Sequence, residues 1–229
     1  EQVRADETIR QAAAKIVEVI EENGTLYTFG ASHAGILSEE LFYRAGGLAL
    51  FNPIMDPNLM LDTRPVTKTS AAESLEGYGE LIGRHVPFKK GDLLLAHSVS
   101  GRNPVMIDLV RYAKSLGVYV IGITNMTYSK ETKSRHSTGL RLFEIADLVI
   151  DNHGETGDAT VRFEGLTQAV APTSTVVGAT IVNCLLVEIV EALMEKGIEP
   201  PIFYSANLDG TKKKNEEIFN KYKEQIHYN

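Results

Sequence analysis

The chain has 229 residues, of which 43% are hydrophobic and 23% charged, and its formal net charge is −7. Such a balance builds a globular protein with a sizeable core, and the negative charge argues against gripping nucleic acid or an acidic membrane over a broad face. The lone cysteine, Cys184, lies in an apolar helical pattern and cannot form an intramolecular disulfide, which fits the cytoplasm, and no apolar run reads as long enough to span a bilayer.

In chain order, residues 5–22 place Ile9, Ala12, Ala13, Ile16, Val17 and Ile20 at helical spacing before a stop at Asn23-Gly24. A strand at 25–29 runs into Gly30-Ala31-Ser32-His33-Ala34-Gly35 and a helix to about Ala45. A short strand is expected around 48–55, an irregular run over 56–69 and one helix over about 70–84. Leu93 to Ala96 is an apolar run of buried-strand type. It breaks at Ser98-Val99-Ser100-Gly101 and restarts as a helix, with Asn103 a good N-cap and Pro104 suited to the first helical position. A strand at 118–124, a polar loop at 125–139, a short helix at 140–145 and a strand at 148–150 follow. A turn-rich loop over 151–158 leads to an extended piece at 159–163, a long helix at 173–196, an extended tail at 200–207 and a helix at 213–226. Strands alternating with helices across short turns predict a flavodoxin-like, doubly wound, five-stranded parallel sheet with helices on both faces. One domain over 1–229 is expected, with an N-terminal helix at about 5–22 and a C-terminal tail plus helix at about 200–229.

Both Gly/Ser turns fall at carboxyl ends of strands, where such sheets bind ligands. Two hydroxyls, a glycine and the free N–H groups of a helix start at Ser98–Asn103 suit an anion, with phosphate the usual occupant; an ordinary turn with serines as local caps is the alternative. Arg102 is placed to close over such an anion or to lie in solvent. The first turn lacks the G-x-G-x-x-G spacing and no G-x-x-x-x-G-K-[ST] loop occurs, which disfavours a nicotinamide enzyme and a P-loop ATPase.

Glu39 and Glu40 lie about two helical turns beyond Ser32, and at most one of them faces the site. A carboxylate beside a bound sugar can move a proton between C1 and C2 in an aldose–ketose isomerisation. Two ordinary polar-face glutamates are the alternative, and Glu73 and Glu76 on the next helix carry the same ambiguity. His33, His97 and His153 all approach the carboxyl edge of the sheet, but none has short ligand spacing, so no metal is expected. His85, His136 and His227 read as surface residues.

The turn Phe29-Gly30-Ala31-Ser32-His33, the helix Ser38-Glu39-Glu40-Leu41-Phe42, the turn Ser98-Val99-Ser100-Gly101 and the helix entry Pro172-Thr173-Ser174-Thr175 resemble sugar isomerase (SIS) domains over about residues 5–200. Glu39-Glu40-Leu41-Phe42-Tyr43-Arg44-Ala45-Gly46-Gly47-Leu48 and Asp151-Asn152-His153 look like a largely uncharacterised phosphosugar-binding subgroup, itself similar to phosphoheptose isomerase. The resemblance implies a phosphosugar-binding protein of carbohydrate metabolism, an aldose–ketose phosphosugar isomerase, with no cofactor. A non-catalytic sensor acting through a partner, or a phosphosugar lyase or etherase with Glu73 as second carboxylate, are the alternatives. It implies phosphate contacts from Ser98, Ser100 and the N–H groups of Gly101, Arg102 and Asn103, with Ser32, His33, Thr173 and Ser174 also at the phosphosugar. Glu40 matches the catalytic base of phosphoheptose isomerases. The histidine those enzymes carry on their last long helix has no counterpart between Thr173 and Lys196, which leaves His153 or His33 as the second proton-transfer group. The same resemblance implies a homodimer or homotetramer with sites near subunit interfaces, the N-terminal helix and the 173–196 helix being the natural contact surfaces.

Overall fold

Leu93-Leu94-Leu95-Ala96 has no polar side chain to set in water, and it forms the centre of the sheet. In the computed structural model, which describes residues 7–229, this strand β3 (Leu93–His97) is buried along its whole length. It pairs in parallel with β1 (Leu26–Gly30) on one side and β4 (Tyr119–Thr124) on the other. β2 (Phe51–Pro53) and β5 (Leu148–Asp151) complete a five-stranded parallel sheet of order β2-β1-β3-β4-β5. This is the doubly wound order, with its switch point between β1 and β3.

Helices cover both faces. α1 (Glu7–Glu21) lies with the long helix α8 (Ser174–Glu195) over one face, where Ile16, Val17, Leu95, Ile181 and Leu185 share a core. The other face carries α4 (Tyr78–Arg84), α5 (Pro104–Ser115) and α7 (Leu142–Ile145) around Phe29, Leu94, Met106 and Leu109. α2 (Ile36–Leu41), α3 (Thr67–Glu73), α6 (Met126–Glu131) and α9 (Thr211–Lys221) are shorter or peripheral. Residues 5 and 6 of the expected first helix lie outside the described residues.

Several expectations are corrected. The single helix expected over 70–84 is two, α3 and α4, separated at Ser74–Gly77, where Gly77 takes a left-handed φ of 83°. α2 ends at Leu41 rather than near Ala45, because Phe42 turns to extended backbone. The polar loop at 125–139 holds α6, started by the Asn125 side chain accepting from the Tyr128 N–H. The extended piece near 159 is one arm of an antiparallel hairpin, β6 (Ala159–Val161) with β7 (Val170–Pro172). This hairpin stands out from the body, with Phe163 and Leu166 exposed.

α8 is long and apolar enough to cross a membrane by length and composition, with a mean hydropathy of 2.0, contrary to the reading that no such run exists. One side of it, including Ile181, Val182, Leu185 and Ile189, packs in the sheet core, while Val176, Val187 and Met194 are exposed.

At the edge of the sheet, Asn52 of β2 donates from its side-chain amide to the carbonyl of Gln225 at 2.9 Å and accepts from the His227 N–H at 2.7 Å. The C-terminal residues are thereby tied beside the edge strand through the buried Asn52 side chain.

α4 and α5 meet at Gly79. A Cβ there would sit 1.9 Å from the Val105 carbonyl oxygen and 2.8 Å from the Asp108 Cβ and the Leu109 nitrogen. Gly79→Ala is therefore expected to cost about 1–3 kcal/mol through overpacking, read as a lower urea midpoint. An unchanged midpoint would mean that the two helices do not pack this closely.

Candidate functional site

The carboxyl ends of β1 and β3 adjoin across the switch point, with Gly30 in register with His97. Each strand releases its chain into a turn. After β1, Ser32 adopts a left-handed φ of 53°, unusual for a residue with a side chain, and its N–H donates to the Leu59 carbonyl at 2.7 Å. After β3, Gly101 takes a φ of 62°, and its Cβ position is crowded by Ser129 Oγ at 3.0 Å and Thr124 Oγ1 at 3.1 Å. Glycine is required here both by the backbone and by the space.

Between the turns lies a cavity of about 190 Å³ lined by Ser32, His33, Glu73, His97, Ser98, Ser100 and Asn103 among others. The start of α5 opens into it. Pro104 occupies the first turn, and Ile107 is the first residue of the helix whose N–H reaches a carbonyl, that of Asn103 at 3.3 Å. The Val105 and Met106 N–H groups therefore present the positive end of the helix to the cavity. The Gly101 N–H, in contrast, donates to Ser98 Oγ at 3.2 Å, which leaves that hydroxyl's proton for another acceptor.

Glu73 closes the opposite side. Its carboxylate accepts from Ser32 Oγ through one oxygen and from Asn103 Nδ2 at 2.6 Å through the other. Asn103 holds the N-cap position that its residue type suggests, but its side chain makes no capping bond; it spans Glu73 and Arg135, whose guanidinium donates to Asn103 Oδ1 at 3.2 Å. Arg135 is set by a strap over 133–140. Its N–H donates to the Arg102 carbonyl at 3.0 Å, and its neighbours are clasped by Asp108 to His136 Nε2 at 2.9 Å and by Glu76 to the Ser137 N–H at 2.7 Å. The two bonds from Ser137 hold the Glu76 carboxyl below its ordinary range. His136 is buried inside this clasp, not on the surface as its polar surroundings in sequence suggest. His227 is exposed, as its place in the sequence suggests, with its ring near-parallel to Tyr27 at 18°.

His97 is 3% exposed, its Nδ1 meets the Ala34 carbonyl at 3.0 Å, and its Nε2 has no partner among the described residues. The bond to a carbonyl places the proton on Nδ1, so Nε2 is a bare acceptor. Burial pushes its pKa down, against the smaller opposing effects of the Ala34 carbonyl and Asp158.

The structure thus brings together Ser32, His33, Ser98, Ser100 and Asn103 of the expected phosphosugar residues. Gly101 shapes the turn from below, and Arg102 contributes its carbonyl to the strap without lining the cavity. Thr173 and Ser174 also stand outside it. They bind Asp158, whose carboxylate accepts from the Ser174 N–H at 2.8 Å and its hydroxyl at 2.5 Å, and so fills the anion position at the start of α8. Glu40 lies beyond α2's cavity side, paired with Arg44 and accepting from Asn183 of α8 at 3.0 Å. His153, at a left-handed φ of 53°, sits with its Nδ1 3.6 Å from Asp151. Among the described residues no group of three or more His, Cys, Asp or Glu is arranged for a metal.

Sequence reasoning ranked Glu73 below Glu40 and passed over Arg135 and Asp158. The helix break at Ser74–Gly77 is the one local signal for Glu73, since it makes Glu73 the last residue of its helix, aimed at the sheet edge rather than along a polar face.

Three kinds of likeness are found. The SIS domain family profile matches residues 1–125. A UPF0309 protein of Shouchella clausii is 55% identical over 223 residues, covering 97% of this chain and 91% of its own length. A UPF0309 protein of Oceanobacillus iheyensis is 52% identical, covering 98% and 92%. Among solved structures, a phosphoheptose isomerase from Francisella tularensis superposes with a TM-score of 0.50 at 17% identity, over 81% of this chain and 88% of that one. A putative phosphosugar isomerase involved in capsule formation from Bacteroides fragilis gives 0.51 at 21%, over 98% and 88%. At such identities these structures share the fold.

The neutral His97 makes stability depend on pH. Its folded-state pKa lies below the ordinary 6.5, so the unfolded chain takes up the proton first as pH falls. The stability it contributes is present above that value and is lost progressively below it. The urea midpoint should therefore drop between about pH 7 and pH 5, and His97→Asn should flatten that drop; superimposable pH profiles for the two proteins would contradict a buried neutral imidazole.

Proposed function

The chain belongs to the SIS domain family and, with its relatives, to the UPF0309 proteins, and we propose that it binds a phosphorylated sugar in the cavity between the β1 and β3 turns. One observation carries this reading: the hydroxyls of Ser98 and Ser100 and the free N–H groups of the α5 start open into the same cavity as a carboxylate, Glu73. A phosphate monoester has the matching halves. Its anionic end accepts from hydroxyls and N–H groups at a helix start, and its sugar hydroxyls donate to Ser32 and Glu73.

The same arrangement supports aldose–ketose isomerisation as the finer reading. Glu73 would take the proton from C2 of the open-chain aldose, giving an enediol, and return it to C1, while a second group passes a proton between O1 and O2. His33, at the cavity rim, is the candidate for that second transfer. Phosphosugar isomerases among the fold neighbours favour this chemistry.

Glu40 keeps a place only in an assembly. It lies beside Asn183 on the exposed side of α8, where Val176 and Val187 face solvent, and a second copy covering that side would enclose it. A homodimer through α8 would then give Glu40 and a neighbouring subunit one shared environment.

A second reading, a sensor that binds the phosphosugar unchanged, is favoured by one detail: both Glu73 oxygens already accept hydrogen bonds from Ser32 and Asn103. Those bonds must rearrange before the carboxylate can reach a C–H proton.

Thermal shift against phosphorylated sugars, each paired with its unphosphorylated form, tests the binding. Wild type should be stabilised only by phosphorylated members, and Ser100→Ala should reduce the shift through the loss of a hydroxyl, about 1–2 kcal/mol of binding. No shift with any phosphosugar would remove the reading. With a ligand in hand, Glu73→Gln should retain binding and abolish turnover followed by NMR. Turnover that survives Glu73→Gln but not Glu40→Gln would move the base to Glu40, and no turnover in wild type would select the sensor.

A further inference from the structure

A larger cavity than the anion site lies elsewhere. At about 440 Å³ it lies within the range of about 300–1,000 Å³ common for small-molecule sites, whereas the anion cavity falls below it. It is bounded by the chain leaving β2 (Ile54 to Asp56), by α4 and the turn after it, and by the C-terminal His227 and Tyr228. It shares no lining residue with the anion cavity.

Its walls are largely apolar. The exposed ring of His227 is backed by the buried Tyr27, near-parallel to it with centroids 6.0 Å apart, and Ile54, Ile82, Val86 and Pro87 complete the enclosure. No lysine or arginine lines it, so it offers nothing to a phosphate. Two of its polar groups are held as acceptors. The Asp56 carboxylate is locked in place, with Oδ1 accepting from the Tyr78 hydroxyl at 2.9 Å and the Asn58 N–H at 2.8 Å. The Asn58 amide in turn donates to the Tyr78 hydroxyl at 2.7 Å. That leaves Oδ2 as the oxygen open to a further donor. His85 Nδ1 meets the Leu81 carbonyl at 2.9 Å, which puts the proton on Nδ1 and makes Nε2 a second acceptor.

A mostly apolar ring with a donor N–H matches the exposed His227 ring, the apolar lining and these two acceptors. We propose that this cavity is a second ligand site, selective for an amino-bearing heteroaromatic ring such as an adenine, guanine or cytosine base, stacked on the exposed His227 ring with its amino group on Asp56. Aromatic stacking and a charge-assisted hydrogen bond to a preset carboxylate are the two sources of affinity. The site is independent of the phosphosugar reading, although one loop connects the two: Asp56 is followed by Leu59, whose carbonyl holds the Ser32 N–H.

Nucleosides, which carry no phosphate and so do not engage the anion cavity, are the probes. Titration calorimetry of adenosine, guanosine, cytidine and uridine against the full chain should give millimolar or tighter binding for the amino-bearing bases. Uridine should bind at least tenfold more weakly. Asp56→Asn keeps the acceptor for Tyr78 but offers the ligand an amide, and should weaken adenosine tenfold or more. Leu81 is 51% exposed at the rim, so Leu81→Trp is accommodated by the fold and should abolish binding by filling the mouth. Ser100→Ala should leave nucleoside binding unchanged. The proposal is overturned by silence of all four nucleosides at 5 mM, roughly five times the weakest affinity expected of such a site. A preference for uridine, or binding indifferent to both Asp56→Asn and Leu81→Trp, overturns it equally.

Discussion

Everything at the carboxyl edge of the sheet is organised by one carboxylate. Glu73 gathers the hydroxyl of Ser32, delivered by β1, and the amide of Asn103, delivered by β3 through the turn at Gly101. Two parallel strands in register bring their ends within reach, but the ends diverge into separate turns. Glu73 bonds the two turns across the gap, beside the bond from His97 Nδ1 to the Ala34 carbonyl. The carboxylate also sets a condition on any occupant. Two unit charges of like sign about 5 Å apart repel by roughly 3 kcal/mol at an effective dielectric of 20. A bare anion therefore meets opposition that the start of α5 and Arg135 must offset. An anion joined to hydroxyl donors meets an acceptor there as well as a repelling charge.

How much of this could be read from the chain follows from the range over which each feature is determined. The strand cores, the Gly101 turn and the start of α5 at Pro104 are local, written in apolar runs, left-handed backbone and a missing N–H, and they were legible. So was the doubly wound order, because short βα connections leave few alternatives. Asn103 marks the limit. Its residue type reads as an N-cap and its position is right, yet its side chain leaves the helix for Glu73 and Arg135. The choice between a local cap and a distant carboxylate depends on a partner 30 residues away, which no window of sequence contains. The ranking of Glu40 over Glu73 turned on the same difficulty. Helical spacing tells which residues share a direction, but the break at Gly77 changes where α3 points. The clasp on His136 is non-local in the same sense, and a histidine in a polar loop carries no mark of burial.

The two faces of the sheet are finished differently. The face under α5 is sealed by close backbone contact at Gly79, where helix approaches helix without a side chain between them. The face under α8 is covered by a helix whose apolar residues exceed what one side can bury, so valines remain in solvent. The hydrophobic effect is roughly proportional to area, and such a stripe is a standing gain for any surface that covers it. The C-terminal residues are tied beside the edge at β2, where the end of the chain gives the buried Asn52 side chain its backbone partners.

Asp158 carries a consequence for how the chain tolerates change. Its carbonyl accepts from the Thr173 N–H at 3.0 Å and its carboxylate caps α8, so the chain leaves the body and returns to it at a single pinned neck. The hairpin between is held by that neck and by its own ladder, and it takes no part in the sheet core. To the rest of the molecule, everything from 159 to 172 is one closed loop of arbitrary content. Doubling the length of such a loop costs only about 0.6 kcal/mol of closure entropy. The neck therefore has the physics of a graft point: a longer arm, a different arm or none could hang from it beside the cavity while the start of α8 keeps its carboxylate and the fold keeps its register.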